Sequence, residues 1–430
     1  MADLMRAIRD GIVEKTEGTR KLTFGGETKL YPVYSIPLDL PYFNNKNDRI
    51  ATWIEEYRFT HDGQEVDRSD IEAYNAWVED FIVKSNPERI EQTKNNIKIV
   101  GQQKVAGVVL ADGRIIDGNR RFTCLRRLNR ENPASFGRFE AVILDMDLTG
   151  NEKHIKMLEL NAQFAEEERV DYAPIDRLTG LYNTVERFRE LTLDEYAKSA
   201  GMKMSDAKKE LGKAKLMEEF LEFCGIPYQF HFARKRKLND PLKDIYGYLL
   251  KEKDDERRED MKLATFGHLA LVSAGDTTRK IRDYMKMLKD PREGRKFLED
   301  QLDIATELSD CLQDKVDEAA KKEGKKLTAA QQAAVITEEL DALSDDSDLA
   351  KKSVKQTEET DKRIKEAANR EQAANVLEDA TRRLENIDKV IFQKLPKEQI
   401  ETICENADVL LSVLQEIRMA AQAQLGNRKE

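Results

Sequence analysis

The sequence predicts an α+β N-terminal domain followed by all-α segments, on three observations. Strand-like runs of β-branched and aromatic residues are confined to the stretch from Lys29 to about Asp147. From Asn151 onward apolar residues recur three and four apart, the period of helices packed on one face. Between Leu377 and Ile417 that period becomes a heptad repeat.

The first element is YPVYSIPLDL, apolar and aromatic with proline at each end of its core, which predicts an early strand at a sheet edge. RIATWIEEY and SDIEAYNAWVEDFIV predict two helices, and Ile71, Tyr74, Val78 and Phe81 make one stripe on the second. VAGVVL, RII and EAVILDMDL read as short buried strands, separated by the Asp112-Gly113 turn and by a helix over RRFTCLRRLNR. LTLDEYAKSAGMKMSDAKKELGKAKLMEEFLEF then holds two amphipathic helices joined at Gly201, with Ser205 placed to cap the second. That is the layout of a helix-turn-helix. A basic and aromatic stretch, GIPYQFHFARKRKLNDP, precedes a helix over KDIYGYLLKEK. ELDALSDDSDLAKKSVKQTEETDK lacks aromatics and is dense in charge, so it reads as a linker or a solvated helix. Leu377, Ala380, Leu384, Ile387 and Ile391 are spaced 3-4-3-4. Ile400, Ile403, Ala407, Leu410, Leu414 and Ile417 repeat that spacing after Leu395-Pro396, which predicts an antiparallel hairpin over 376–420. The expected domains are 29–165, 166–255 and 256–430.

Charged residues make up 36% of the 430 residues against 40% apolar, and no apolar run approaches the roughly 20 residues a membrane span needs. The first turns carry charges and no apolar core of a secretory signal, so the expected location is the cytoplasm. Cys124, Cys224, Cys311 and Cys404 are far apart and read as reduced thiols rather than a disulfide frame or zinc site. A net charge of −10 excludes indiscriminate coating of nucleic acid by the whole molecule, while a local basic face can still hold phosphates. The dispersed histidines have no HExxH spacing, and no GxxxxGK[ST], GxGxxG or GxSxG occurs, which removes the corresponding hydrolase and nucleotide-fold classes.

The most informative stretch is DGRIIDGNRR, Asp112 to Arg121. A glycine turn delivered by a strand and opening a helix offers exposed backbone amides backed by the positive end of the helix dipole, a position that suits phosphate. Phe122, Leu125 and Leu128 mark the packed face of that helix, and a 100° step per residue puts Arg121 on the same side while Arg120 turns away.

VVLADGRIIDGNRRFTCLRRL resembles the second nucleotide-contacting box of the ParB and sulfiredoxin-like superfamily, an apolar strand, a turn and Gly-x-x-Arg opening a helix. KMLELNAQFAEEERVDYAPIDRL resembles the third box, NNIKIVGQQKVAGVVL the approach to the first, and the helix-turn-helix segment matches in order and distance. The resemblance spans roughly residues 30–250 and implies a nucleotide-binding domain joined to a DNA-binding one, which in ParB works as a CTP-switched dimeric clamp. Carried over, Gly101, Gly118, Asn119, Arg120 and Arg121 hold CTP or ATP, Arg49 supplies the first arginine contact, Asn161 helps hold Mg2+, and Gln163 matches the third box. Asn119 stands where the family commonly has Glu, and so does Leu160 before Asn161, so the reading favours binding over efficient hydrolysis.

The DNA-facing candidates are Ser205, Lys208, Lys209 and Lys213 on the second helix of the pair, and the basic run Arg234, Lys235, Arg236 and Lys237. The sequence thus predicts a ParB-like, nucleotide-responsive DNA-binding protein acting as a homodimer. The alternative is an enzyme on the same fold, a nuclease or phosphotransferase, with Asp117, Glu159 and Glu166 as acid–base or metal candidates.

Overall fold

The computed structural model describes residues 3–24, 27–146, 150–165, 173–272, 276–343 and 347–426. Two compact units divide the chain, Met1–Asp361 and Lys362–Glu430.

The first unit opens with helix α1 (Leu4–Arg9) and two long strands, β1 (Glu14–Phe24) and β2 (Glu27–Pro37). Helices α2 (Ala51–Thr60), α3 (Ile71–Ser85) and α4 (Pro87–Val100) follow, then β3 (Gly107–Leu110), β4 (Ile115–Asp117), α5 (Asn119–Glu131) and β5 (Arg138–Leu144). The sheet order is β1-β2-β5-β3-β4; β3 and β5 run parallel and every other neighbouring pair is antiparallel. Successive residues of a strand face opposite sides. Val109, Ile115, Phe139 and Ala141 pack on one face with Tyr74, Val78, Ile90, Phe122 and Leu125 of α3–α5. Val33, Val108, Leu110, Val142 and Leu144 pack on the other, with Ile155 and Leu158 of α6 (Glu152–Ala165).

YPVYSIPLDL was expected at a sheet edge, and the structure corrects this: β2 lies between β1 and β5. The prolines mislead because Pro32 sits beside a bulge, where the β1 register shifts between Lys15 and Thr19, and Pro37 closes the strand. The edge strand on that side, EKTEGTRKLTF, is mostly polar, with Leu22 packed into the core, and carries little strand signal.

The remainder of the unit is helical: α7 (Pro174–Tyr182), a π-turn over Asn183–Arg187, α8 (Leu193–Ser199), α9 (Met204–Phe223), α10 (Phe230–Lys235), α11 (Asn239–Leu249), α12 (Asp255–Leu271), α13 (Thr277–Leu288), α14 (Gly294–Glu323), α15 (Ala329–Leu343) and the start of α16 (Asp348–Glu385). The expected two-helix motif is α8 and α9, joined through Gly201 at φ +60° and packed through Tyr196, Ala200 and Leu211. Lys203, not Ser205, occupies the N-cap of α9, and no side chain caps that helix, because α9 starts two residues earlier than its serine suggests. The segment read as a linker or solvated helix is neither throughout: Ala350, Ser353 and Thr360 of α16 are buried.

The second unit holds the rest of α16, a 3-10 turn over Lys389–Lys394 and α17 (Lys397–Gly426). The second heptad helix follows Pro396 as expected, but the first ends at Glu385, so Ile387 and Ile391 of the expected seam lie outside it, Ile391 on the 3-10 turn, and α16 and α17 do not pack on each other along their length. No helix among the described residues is long and apolar enough to cross a membrane.

Candidate functional site

The β4–α5 turn is built by close approach. Gly118 caps α5 at φ +104°, a conformation that L side chains rarely adopt, and supplies no side chain to bond the first-turn amides. A Cβ on Gly107 would meet Phe139 Cζ at 2.3 Å and the Asp117 carbonyl at 2.8 Å, so only glycine lets β3 pass behind the turn. Phe122, Leu125 and Leu128 then bury one face of α5. Buried Arg126 ties the helix to α3, with Nε 2.9 Å from Glu79 and Nη2 2.8 Å from Glu72.

A groove of about 290 Å3 opens beside this turn, lined by Arg89, Gln92, Thr93 and Asn96 of α4, by Gln103 and Lys104, and by Arg120 and Arg121. Four of its lining side chains are basic and none is acidic. Gly101, left-handed at φ +81°, ends α4 and turns the chain toward Gln103 and Lys104. On the opposite side of the α5 start, Arg49 shares a gap of about 20 Å3 with Asn119 and Arg120, room for a single water. The Oδ1 atom of Asn119 is buried there without a hydrogen-bond partner among the described residues. The structure thus gathers Arg49, Asn119, Arg120 and Arg121 around the helix start that Gly118 caps, while Gly101 lines neither the groove nor the gap.

Asp117 is not poised for acid–base work in this arrangement. Its Oδ2 lies 2.7 Å from Arg20 Nη2 and 3.1 Å from Arg121 Nη2. Glu159 lies elsewhere, in a cavity of about 410 Å3 bounded by the Asn44–Asp48 loop, α2, α6 and the π-turn. It accepts a hydrogen bond from the Asn44 amide, and burial pushes its carboxyl up to about 7 despite Lys156 beside it. Lys156 Nζ is 2.7 Å from Asp48 Oδ1 and 3.9 Å from Glu159 Oε2. Burial likewise pushes Glu55 up to about 8; its Oε1 accepts from Arg187 at 3.2 Å, while Oε2 is buried without a hydrogen-bond partner among the described residues. Five basic and five acidic side chains line this cavity, whereas the groove at α5 is lined by basic side chains and no acidic one.

Asn161 stands half-buried on α6 and lines neither pocket; the Gln163 side chain and Glu166 lie outside the described residues. Magnesium requires hard oxygen ligands. Asp117 is held by two guanidinium groups and Asn161 is apart from the groove, so the residues proposed for the ion do not assemble into a protein cage. The described residues also contain no group of three or more His, Cys, Asp or Glu that could hold a metal.

On α9, Ser205, Lys208 and Lys209 are exposed near its start, whereas Lys213 is buried and 2.8 Å from Glu210. The basic run serves largely internal contacts. Arg234 stacks 3.5 Å over the Trp53 ring and pairs with Glu56, Lys235 lies 2.7 Å from the same carboxylate, and Arg236 donates to the Ala270 carbonyl at 2.7 Å. Lys237 is exposed at φ +54°.

Sequence reasoning found Glu159 but not the groove residues Arg89 and Lys104, nor Asp48 and Lys156, which are buried beside Glu159. The Lys156/Glu159 pair, three apart on a helix, and the polar run NNKND between apolar segments were the available signals. Compared with protein-family models and with curated proteins, the chain finds no match.

Proposed function

We propose that the first unit binds a phosphate-bearing nucleotide at the start of α5 and that this ligand modulates DNA binding through α8 and α9, in the manner the ParB-like boxes imply. One observation carries the reading: a groove lined by four basic side chains and no acidic one lies against a glycine-capped helix start, with Asp117 paired to Arg121 behind it. Phosphate oxygens there meet amide donors, the helix dipole and guanidinium forks at once. Gly101 and Gly118 shape the approach, Arg120 and Arg121 grip the phosphates, and Arg49 and Asn119 support the turn from its other side. CTP and ATP are the first ligands to try. The exposed Ser205, Lys208 and Lys209 meet the DNA backbone, with α9 as the groove-reading helix.

Fluorescence anisotropy of a labelled duplex, with and without each nucleoside triphosphate, tests the proposal. Nucleotide-dependent affinity that disappears in Arg121→Ala supports it. DNA affinity indifferent to every nucleotide, or equal responses in both proteins, refutes it.

A further inference from the structure

The cavity between the Asn44–Asp48 loop, α2, α6 and the π-turn lies apart from the groove at α5, and the two share no lining residue. Its volume of about 410 Å3 falls in the range of about 300–1,000 Å3 that small-molecule pockets occupy. Ala51, Ile54 and Ile155 give it an apolar side, and Phe188, 59% exposed, stands where it opens. The π-turn supplies Asn183, Thr184 and Arg187 to the wall, and π-turns recur where helices are shaped around ligands. Two buried polar atoms of opposite kind belong to lining residues and have no hydrogen-bond partner among the described residues. They are Oε2 of Glu55 on α2 and Nε of Arg114, immediately before β4. A buried carboxyl oxygen and a buried guanidinium N–H left unmatched are each costly. One small molecule that carries both an ammonium and a carboxylate satisfies the two together.

We propose that this cavity binds a free α-amino acid with an apolar or aromatic side chain. The ammonium lies against Glu55, the carboxylate against Arg114 with Lys156 adding positive charge from α6, and the side chain against Ile54 and Phe188. Glu55 faces Arg58 of its own helix, Arg187 of the π-turn and, farther off, Glu218 of α9. Burial outweighs the two guanidinium groups and pushes its carboxyl up to about 8, and a ligand ammonium supplies the further positive charge that restores the carboxylate. The apolar wall selects the side chain, while the paired charged ends select a free amino acid over a peptide or a simple amine. The inference is independent of the nucleotide reading, since no residue of the α5 groove lines this cavity.

Isothermal titration of the full chain with each of the common amino acids tests it, beside the N-acetyl and carboxamide forms of whichever binds. An apolar or aromatic amino acid binds, and each capped form binds more weakly by about tenfold or more, the worth of one charge-assisted contact. Glu55→Gln keeps the shape of the wall and weakens the free amino acid by a similar factor, with an unchanged far-UV circular dichroism spectrum showing that the fold is kept. The N-acetyl form, which has no ammonium to lose, binds that variant and the wild type alike. Arg121→Ala leaves amino-acid affinity unchanged, which separates this site from the nucleotide groove. No binding by any amino acid at millimolar concentration overturns the inference. A capped form that binds as tightly as the free one, or an affinity indifferent to Glu55→Gln, overturns it as well.

Discussion

Arg121 Nη2 lies 3.1 Å from Asp117 Oδ2 across the first turn of α5, and Arg20 reaches the same oxygen at 2.7 Å. The turn therefore supplies its own anchor for one of the two arginines that open the helix. Asp117→Asn leaves two guanidinium groups around a neutral amide and costs about 2–3 kcal/mol of stability, read from urea unfolding. Nucleotide affinity in the folded variant holds or rises, because Arg121 is released toward the groove. A folded variant that no longer binds nucleotide shows instead that the carboxylate itself touches the ligand.

The two glycines behind the turn differ in what they tolerate. Gly107→Ala drives a Cβ into Phe139 and the Asp117 carbonyl and lowers stability by about 3 kcal/mol. Gly101→Ala meets nothing within 4 Å and bears only the left-handed backbone penalty, about 1 kcal/mol. Thermal unfolding of both variants checks the order; equal losses would show that packing at β3 is looser than its geometry indicates.

Glu55 gives the fold a pH dependence. Its folded pKa is raised by burial to about 8 from the ordinary 4.5, so the native state holds a proton that the unfolded chain releases in between. Stability from this site is present below about pH 4.5 and declines as pH rises toward 8, with Glu159 adding in the same direction up to about 7. Between pH 5 and 8.5 the stability difference between Glu55→Gln and wild type moves in favour of the variant, by on the order of 1–3 kcal/mol. A difference flat with pH contradicts this assignment.

Basic residues separate into two behaviours. Lys208→Ala with Lys209→Ala weakens DNA binding and lowers the slope of log affinity against log salt by about 0.9 per lost phosphate contact, with unfolding unchanged. Arg234→Ala removes the Glu56 pair and the Trp53 stack, and its main effect is a loss of about 2 kcal/mol in stability. Denaturation and salt titration of the same variants distinguish the two.

Much of the first unit is legible in sequence because its elements have strong local signals. The period-3.6 stripe of α3, the apolar runs of β3, β4 and β5, and the two Asp-Gly turns, with Gly113 and Gly118 both left-handed, are written in adjacent residues. Strand β1 was not legible, since EKTEGTRKLTF is polar and pairs only because β2 offers it an edge. The groove was half legible. Arg120 and Arg121 announce themselves beside Gly118, whereas Arg89 reaches them only through the packing of α4 on α5. The basic run at Arg234 shows the opposite failure: four adjacent charges read as a surface, yet Glu56 and Trp53 on α2, remote in sequence, draw its first arginine inward.

The account rests on an anion held where β4 passes into α5. Isothermal titration of the full chain with each nucleoside triphosphate, beside Arg120→Ala, tests it most directly. At least one triphosphate binds the wild type, and the substitution weakens it by about tenfold or more, the worth of one charge-assisted contact. Absence of binding by every triphosphate, or equal affinity in the two proteins, contradicts it.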